Sequence, residues 1–127
     1  MSDTNIEIVT ALCNSLLAAD MAKSVEFLSE DVIYHNMPWE PVTGRNAVRE
    51  ALDPFVHGTN CALKVMEILQ STAAGDCVMN ARRELWERAG VSVMLPVAGV
   101  FRISDGLIVR WDDYWDSATL RPLLDTL

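Results

Sequence analysis

The chain opens with apolar residues at helical spacing and continues with segments in which apolar and polar residues alternate. Thr4 and Glu7 have the spacing of a capping box, which predicts the start of a first helix. Asp20 predicts the cap of a short second helix that runs to about Leu28. The apolar positions that predict the buried face of the first helix are Ile6, Val9, Cys13, Leu16 and Leu17.

Residues 31–37 alternate in the manner of a β-strand with two distinct faces. Because successive side chains of a strand point in opposite directions, Tyr34 and Asn36 would share one face. His35 and Met37 would lie on the opposite face. This segment is therefore predicted to be the first strand.

A loop and a helix are predicted to follow this strand. Residues 38–44 include two prolines, which favour a loop. Val48 and Leu52 are one helical turn apart and predict a helix over residues 45–52. Pro54 is predicted to end that helix, because proline lacks the backbone N–H that a helix interior requires.

The remainder of the chain is dominated by long extended segments. Three of them are separated by short glycine-containing turns, which predicts antiparallel hairpins, and they span residues 61–70, 77–87 and 91–103. A last strand over residues 107–115 and a closing helix capped by Asp116 or Ser117 complete the order. Helices followed by antiparallel hairpins are typical of an α+β fold in which a curved sheet packs against helices and leaves a pocket.

The composition predicts one globular domain over residues 1–127, since half of the residues are hydrophobic. The net charge of −8, without a basic run, argues against nucleic acid and anionic membrane surfaces as partners. Neither a signal peptide nor a membrane span of roughly 20 apolar residues is predicted. Cys13, Cys61 and Cys77 are odd in number and far apart, which favours buried thiols in a reducing cytoplasm.

Polar residues two positions apart interrupt three of the predicted strands. A spacing of two places both side chains of a pair on one face of a strand. If these faces enclose one cavity, its two carboxylates and one guanidinium could act as acid and base on one small molecule. A structural salt bridge is an equally well supported interpretation. The pairs are Tyr34 with Asn36, Arg82 with Glu84, and Trp111 with Asp113.

Other kinds of catalytic site lack the residues that they need. His35 and His57 are the only histidines, and neither has a serine, cysteine or aspartate at the spacing of a catalytic triad. The sequence contains no phosphate-binding glycine motif and no two-histidine metal motif. Neither a metal nor a cofactor is therefore predicted.

Several motifs resemble those of the limonene-1,2-epoxide hydrolases. Residues 31–38 read DVIYHNMP and are followed by Gly44-Arg45, residues 99–101 read GVF, and residues 111–116 read WDDYWD. With the Asp105-Gly106 turn, the resemblance covers nearly the whole chain. It implies a cystatin-like α+β cone, in which a curved mixed sheet packs against N-terminal helices around one apolar pocket. Ketosteroid isomerase, scytalone dehydratase and the SnoaL-like polyketide cyclases share that fold.

The resemblance also implies a cofactor-independent epoxide hydrolase and a role for each polar candidate. Tyr34, Asn36 and Asp113 would hold a water molecule, and Asp113 would be its general base. Glu84 would protonate the epoxide oxygen, and Arg82 would orient both carboxylates. One departure stands out, because the family acid is usually an aspartate and the extra methylene of Glu84 displaces the carboxyl by roughly 1.5 Å.

The implied substrate is an apolar epoxide, either terpenoid or alicyclic, and the implied assembly is a homodimer formed through the sheet. Two other functions fit the same residues. One is an isomerase or cyclase of the ketosteroid isomerase or SnoaL type, and the other is a non-catalytic binder of apolar small molecules. The candidate residues for the substrate-binding wall are Trp111, Met37, Trp86, Leu95, Val97 and Trp115.

Overall fold

The computed structural model describes residues 2–56 and 61–127, so that the prediction of a loop at His57 lies outside the described residues. None of the described helices is long and apolar enough to cross a membrane. The helices are α1 (Ser2–Leu17), α2 (Met21–Ser24), α3 (Arg45–Val56) and α4 (Ser117–Leu124), and a 3₁₀ turn (Val25–Phe27) follows α2.

The described strands form one six-stranded mixed sheet, which confirms the predicted curved α+β architecture. They are β1 (Leu28–Asn36), β2 (Val42–Thr43), β3 (Ala62–Ala74), β4 (Cys77–Arg88), β5 (Val91–Ser104) and β6 (Leu107–Tyr114). Their order across the sheet is β2-β1-β6-β5-β4-β3. The β1 and β6 strands are parallel, whereas the other neighbouring pairs are antiparallel. The β1 and β6 strands, which carry Tyr34 with Asn36 and Trp111 with Asp113, are therefore far apart in sequence but adjacent in the sheet.

The predicted start and end of the N-terminal helices were wrong by a few residues. The α1 helix begins at Ser2, so Thr4 lies in its first turn and is not its cap. Asp20 does cap α2 as predicted, because its carboxylate accepts a hydrogen bond of 3.0 Å from the backbone N–H of Lys23. Leu28 begins a strand instead of ending a helix, since it is buried in the sheet opposite Ile108.

Two predictions about the middle of the chain were also wrong. The predicted loop over residues 38–44 contains the short β2 strand, in which Val42 pairs with Tyr34. The α3 helix continues through Pro54 to Val56. Because Pro54 has no backbone N–H, the carbonyl of Glu50 lacks its usual helical hydrogen bond, but Glu50 is exposed to solvent. Val56, in contrast, is buried in the core. Burial of Val56 thus prevails over the local effect of proline.

The sheet separates a buried face from an exposed one. Buried and exposed residues alternate along β5 and along β4 as far as Glu84. The α1, α3 and α4 helices pack against β3, β1 and β5 respectively. Asp116 caps α4, since its side chain accepts a hydrogen bond of 3.0 Å from the N–H of Ala118. This packing leaves a space between the buried face and the helices.

All three cysteines carry free thiols. Cys13 and Cys61 are buried, as predicted. Cys77 is only partly buried, because it begins β4 directly after a turn at Gly75 and Asp76.

Candidate functional site

A cavity of about 330 Å³ lies between the buried face of the sheet and the helices. Apolar side chains from the sheet and from α1, α3 and α4 form most of its wall. All the side chains predicted to be catalytic line this one cavity, which confirms the prediction that the three polar pairs face a common space. They are Tyr34, Asn36, Arg82, Glu84 and Asp113.

Arg82 is the centre of the polar part of the cavity, with only 2% of its surface exposed. Its Nε donates a hydrogen bond of 3.0 Å to Glu84 Oε2, and its Nη2 donates one of 2.8 Å to Asp113 Oδ2. Its Nη1 donates a third, of 2.8 Å, to Asn80 Oδ1. The guanidinium therefore joins both carboxylates, as the family resemblance implied, and Asn80 holds its remaining side.

Gly99 makes this bridge sterically feasible. Arg82 and Asp113 lie on β4 and β6, and β5 runs between them. Gly99 pairs with Asn80 on one side and with Asp113 on the other. A Cβ atom at Gly99 would overlap Arg82 Nη1 and would come within 2.9 Å of Asn80 Oδ1. The absence of a side chain thus lets the guanidinium cross β5.

Each carboxylate also receives a hydrogen bond from an indole. Trp111 Nε1 donates one of 2.9 Å to Asp113 Oδ1. Trp86 Nε1 donates one of 3.0 Å to Glu84 Oε1. Both carboxylates are thus held by one guanidinium and one indole, which fixes their orientation within a mostly apolar cavity.

Burial and neighbouring charges shift the pKa values of Glu84, Arg82 and Tyr34. Burial raises the pKa of Glu84, the positive charge of Arg82 opposes this, and the charge of Asp113 adds to it. Burial alone would lower the pKa of Arg82, but the carboxylates of Asp113 and Glu84 hold it above its usual value. Burial also raises the pKa of Tyr34 well above its usual value, and both carboxylates add to the effect. Burial therefore shifts Glu84 toward its neutral form, while Arg82 stays a cation and Tyr34 a neutral phenol.

Tyr34, Asn36 and Asp113 lie on the neighbouring parallel strands β1 and β6. Asn36 pairs in register with Asp113, and Tyr34 pairs with Trp111. The rings of Tyr34 and Trp111 are 4.2 Å apart between centroids. Trp115 Nε1 donates a hydrogen bond of 2.6 Å to Asn36 Oδ1, which restrains the amide. A phenol, an amide and a carboxylate thus face the cavity from adjoining positions.

Most of the predicted wall residues line the cavity, namely Trp86, Leu95, Val97, Trp111 and Trp115. Met37 is not among the lining residues. It follows Asn36 directly, so the alternation along this segment turns its side chain away from the cavity. Its backbone N–H instead donates to the carbonyl of Asp113 at 3.1 Å.

Some residues of the site were not singled out from the sequence. Asn80 lies two residues before Arg82 on β4, as Glu84 lies two residues after it. The same spacing of two could therefore have identified Asn80 as a residue of the site. Cys13 also lines the cavity, and burial raises the pKa of its thiol to about 11. Phe55 and Leu120, from α3 and α4, complete the apolar wall. No local pattern distinguishes these helical residues from ordinary core residues.

Comparison with known proteins agrees with the resemblance noted in the sequence. The family described as the limonene-1,2-epoxide hydrolase catalytic domain matches residues 3–124. The epoxide hydrolase EphG of Mycobacterium tuberculosis is 27% identical over 108 residues, which cover 85% of this chain and 70% of that protein.

Solved structures share the fold at lower identity. The structure of an M. tuberculosis LEH-like epoxide hydrolase has a TM-score of 0.85 at 24% identity, and the match covers 98% of this chain and 92% of that one. A provisionally assigned SnoaL-like polyketide cyclase from Jannaschia sp. CCS1 has a TM-score of 0.82 at 16% identity, with coverage of 100% and 95%. These likenesses show the cone-shaped fold, which hosts more than one chemistry.

Proposed function

Because the chain belongs to the limonene-1,2-epoxide hydrolase family, we propose that it hydrolyses the epoxide of an apolar small molecule to a vicinal diol in one step. One observation carries this proposal: the Arg82 guanidinium joins two buried carboxylates, Asp113 and Glu84, on the wall of a single apolar cavity. Two carboxyl groups held in different protonation states can supply a general base and a general acid to the same substrate.

In this mechanism Asp113 is the general base and Glu84 is the general acid. Asp113 takes a proton from a water molecule, and the water oxygen forms a bond to an epoxide carbon. The bond between that carbon and the epoxide oxygen breaks, and the oxygen takes the proton of Glu84. One water and one epoxide thus give one diol.

The neighbouring groups fit these roles. The phenol of Tyr34 and the amide of Asn36 adjoin Asp113 and offer hydrogen bonds to the attacking water. Burial favours the neutral form of Glu84, as an acid requires before the reaction. After the reaction Asp113 is protonated and Glu84 is ionised. A proton must then return from one to the other, and Arg82 lies hydrogen-bonded between them.

The cavity favours a compact and largely apolar substrate. Its volume of about 330 Å³ is near the lower end of the roughly 300–1,000 Å³ that is usual for small-molecule sites. Aromatic and aliphatic side chains surround the polar groups, so that a terpenoid or alicyclic epoxide would bury its hydrocarbon part. Hydrogen bonds from Trp86 and Arg82 fix the carboxyl group of Glu84. The position of this carboxyl group sets where the epoxide oxygen would bind.

A panel of epoxides tests the proposed function. Limonene oxide, cyclohexene oxide, styrene oxide and a linear alkyl epoxide are incubated with the protein, and diols are measured by gas chromatography. We expect diol formation above the uncatalysed rate with at least one cyclic epoxide. An absence of diol from every epoxide, together with tight binding of a steroid or polyketide, would favour the isomerase, cyclase or binder alternatives.

We also propose that two copies associate through the exposed face of the sheet. Large apolar side chains on three adjacent strands lie on the face opposite the cavity: Met79, Met94 and Tyr114 are 47%, 43% and 46% exposed. A sheet face that exposes several large apolar side chains is typical of an interface. Light scattering should give the mass of a dimer, and Met94→Lys should lower it. A monomeric mass at micromolar concentration would contradict this assembly.

A further inference from the structure

Glu84 is hydrogen-bonded at both of its carboxylate oxygens. Oε2 accepts a hydrogen bond of 3.0 Å from Arg82 Nε and also lies 3.0 Å from Arg82 Nη2. Oε1 accepts from the indole N–H of Trp86 at 3.0 Å. Glu84 is only 6% exposed, so these fixed donors take the place of most of the solvent. Trp86 is thus more than a wall residue, because its single polar atom is directed at the proposed acid.

A general acid is neutral before it reacts and charged afterwards. An N–H donor stabilises the charged form of a carboxyl group more than the neutral form. Burial has the opposite effect on Glu84 and makes proton release harder. A donor fixed at Oε1 therefore offsets part of the burial as negative charge develops on Glu84 during proton transfer.

The other ionisable groups near Glu84 have different roles. Arg82 is shared with Asp113, so its charge acts on both carboxylates. The thiol of Cys13 and the phenol of Tyr34 are neutral at ordinary pH, because burial raises the pKa of each. The indole of Trp111 donates to Asp113 instead. Among these described groups, Trp86 is the donor directed at Glu84 and not at Asp113.

Building on the hydrolase function proposed above, we propose that Trp86 is a positioning residue that orients Glu84 and sets the strength of this acid. Its indole N–H fixes Oε1 and stabilises the carboxylate that remains after the proton has moved to the epoxide oxygen. The Glu84 O–H bond breaks and no other bond at Glu84 changes.

The pH dependence of kcat/KM for diol formation tests this role in Trp86→Phe, which keeps an aromatic ring and removes the N–H. In this mechanism activity falls on the high-pH side of the profile, as Glu84 loses its proton; this side is the alkaline limb. Without the indole donor, the neutral form persists to higher pH, so this limb should move upward by about one pH unit. The plateau should fall several-fold, because the acid is weaker. Trp115→Phe is the matched control, since it removes an N–H that serves Asn36, and its alkaline limb should stay in place.

A second measurement is independent of turnover. In protein with ¹³C-labelled glutamate carboxyls, NMR follows the titration of Glu84, and Glu84→Gln identifies its signal. The signal should titrate at higher pH in Trp86→Phe than in the unchanged protein. Coincident titration curves would overturn the role of Trp86. Should Trp86→Phe fold poorly, a benzothienylalanine at position 86 replaces the N–H by sulfur with little change of shape.

The two measurements separate this inference from the function on which it rests. A shifted Glu84 titration without hydrolysis of any epoxide would support the role of Trp86 and contradict the hydrolase function. Epoxide hydrolysis with an unmoved alkaline limb and an unmoved titration would support the function and contradict the inference.

Discussion

Asp113→Asn is expected to lower the rate of epoxide hydrolysis by roughly 10²–10⁴-fold, which is the usual contribution of one general base. The amide has nearly the same shape as the carboxylate but cannot take a proton from the attacking water. Its oxygen can still accept the hydrogen bond that Asp113 Oδ2 accepts from Arg82 Nη2 at 2.8 Å. The measurement is kcat/KM for the best epoxide of the panel, with thermal unfolding recorded in parallel.

Asp112→Asn is the matched control for this variant. Asp112 is the adjacent residue on β6, it points to the other face of the sheet, and its carboxylate is held by Arg110 at 2.9 and 3.0 Å. Diol formation by Asp112→Asn should stay within a few-fold of the original rate. Full activity in Asp113→Asn would show that the carboxylate is structural.

Gly99→Ala is expected to lower hydrolysis by about 10²-fold, although Gly99 has no side chain that could contact substrate. The added Cβ would overlap Arg82 Nη1 and would lie 2.8 Å from Phe101 and 2.9 Å from Asn80 Oδ1. Arg82 is buried and hydrogen-bonded on all sides, so it can move only by disturbing both carboxylates. A displacement of catalytic groups by about 1 Å can cost a factor of that size. The comparison is kcat/KM together with the free energy of unfolding.

Ser92→Thr provides the control, because it adds one methyl group at an exposed position of the same strand. It should leave both activity and stability nearly unchanged. If Gly99→Ala kept full activity, the position of Arg82 over β5 would not matter for catalysis.

The sequence predicted which residues form the site better than it predicted how they are arranged. A spacing of two in a strand is a local property, so the shared faces of Tyr34 with Asn36 and of Arg82 with Glu84 could be predicted. That Arg82 reaches Asp113 across β5 depends on the order of three strands and on their register. Gly99 could be recognised as part of a family motif. Its position beneath the guanidinium of Arg82 could not be predicted from the sequence.

The differences in the helices have a similar physical origin. Pro54 carries a local signal to end a helix, yet α3 continues to Val56, which is buried in the core. Leu28 continues a helical pattern, yet it joins the sheet beside Ile108. In both places burial against distant parts of the chain outweighs the local preference, and no short window of sequence contains that information.

The alternative to direct attack by water is an ester between Asp113 and the substrate. A carboxylate can act as a nucleophile, and water would then hydrolyse the ester. The arrangement of Tyr34 and Asn36 beside Asp113 favours a bound water instead. His35, a candidate for the additional base that ester hydrolysis would require, is not among the residues that line the cavity.

A single turnover in ¹⁸O-labelled water, with enzyme in excess over epoxide, distinguishes the two routes most directly. The isotope content of the diol and of the peptide that contains Asp113 are both measured by mass spectrometry. We expect the label in the diol and none in the peptide. Label in Asp113 together with an unlabelled diol would contradict the one-step mechanism.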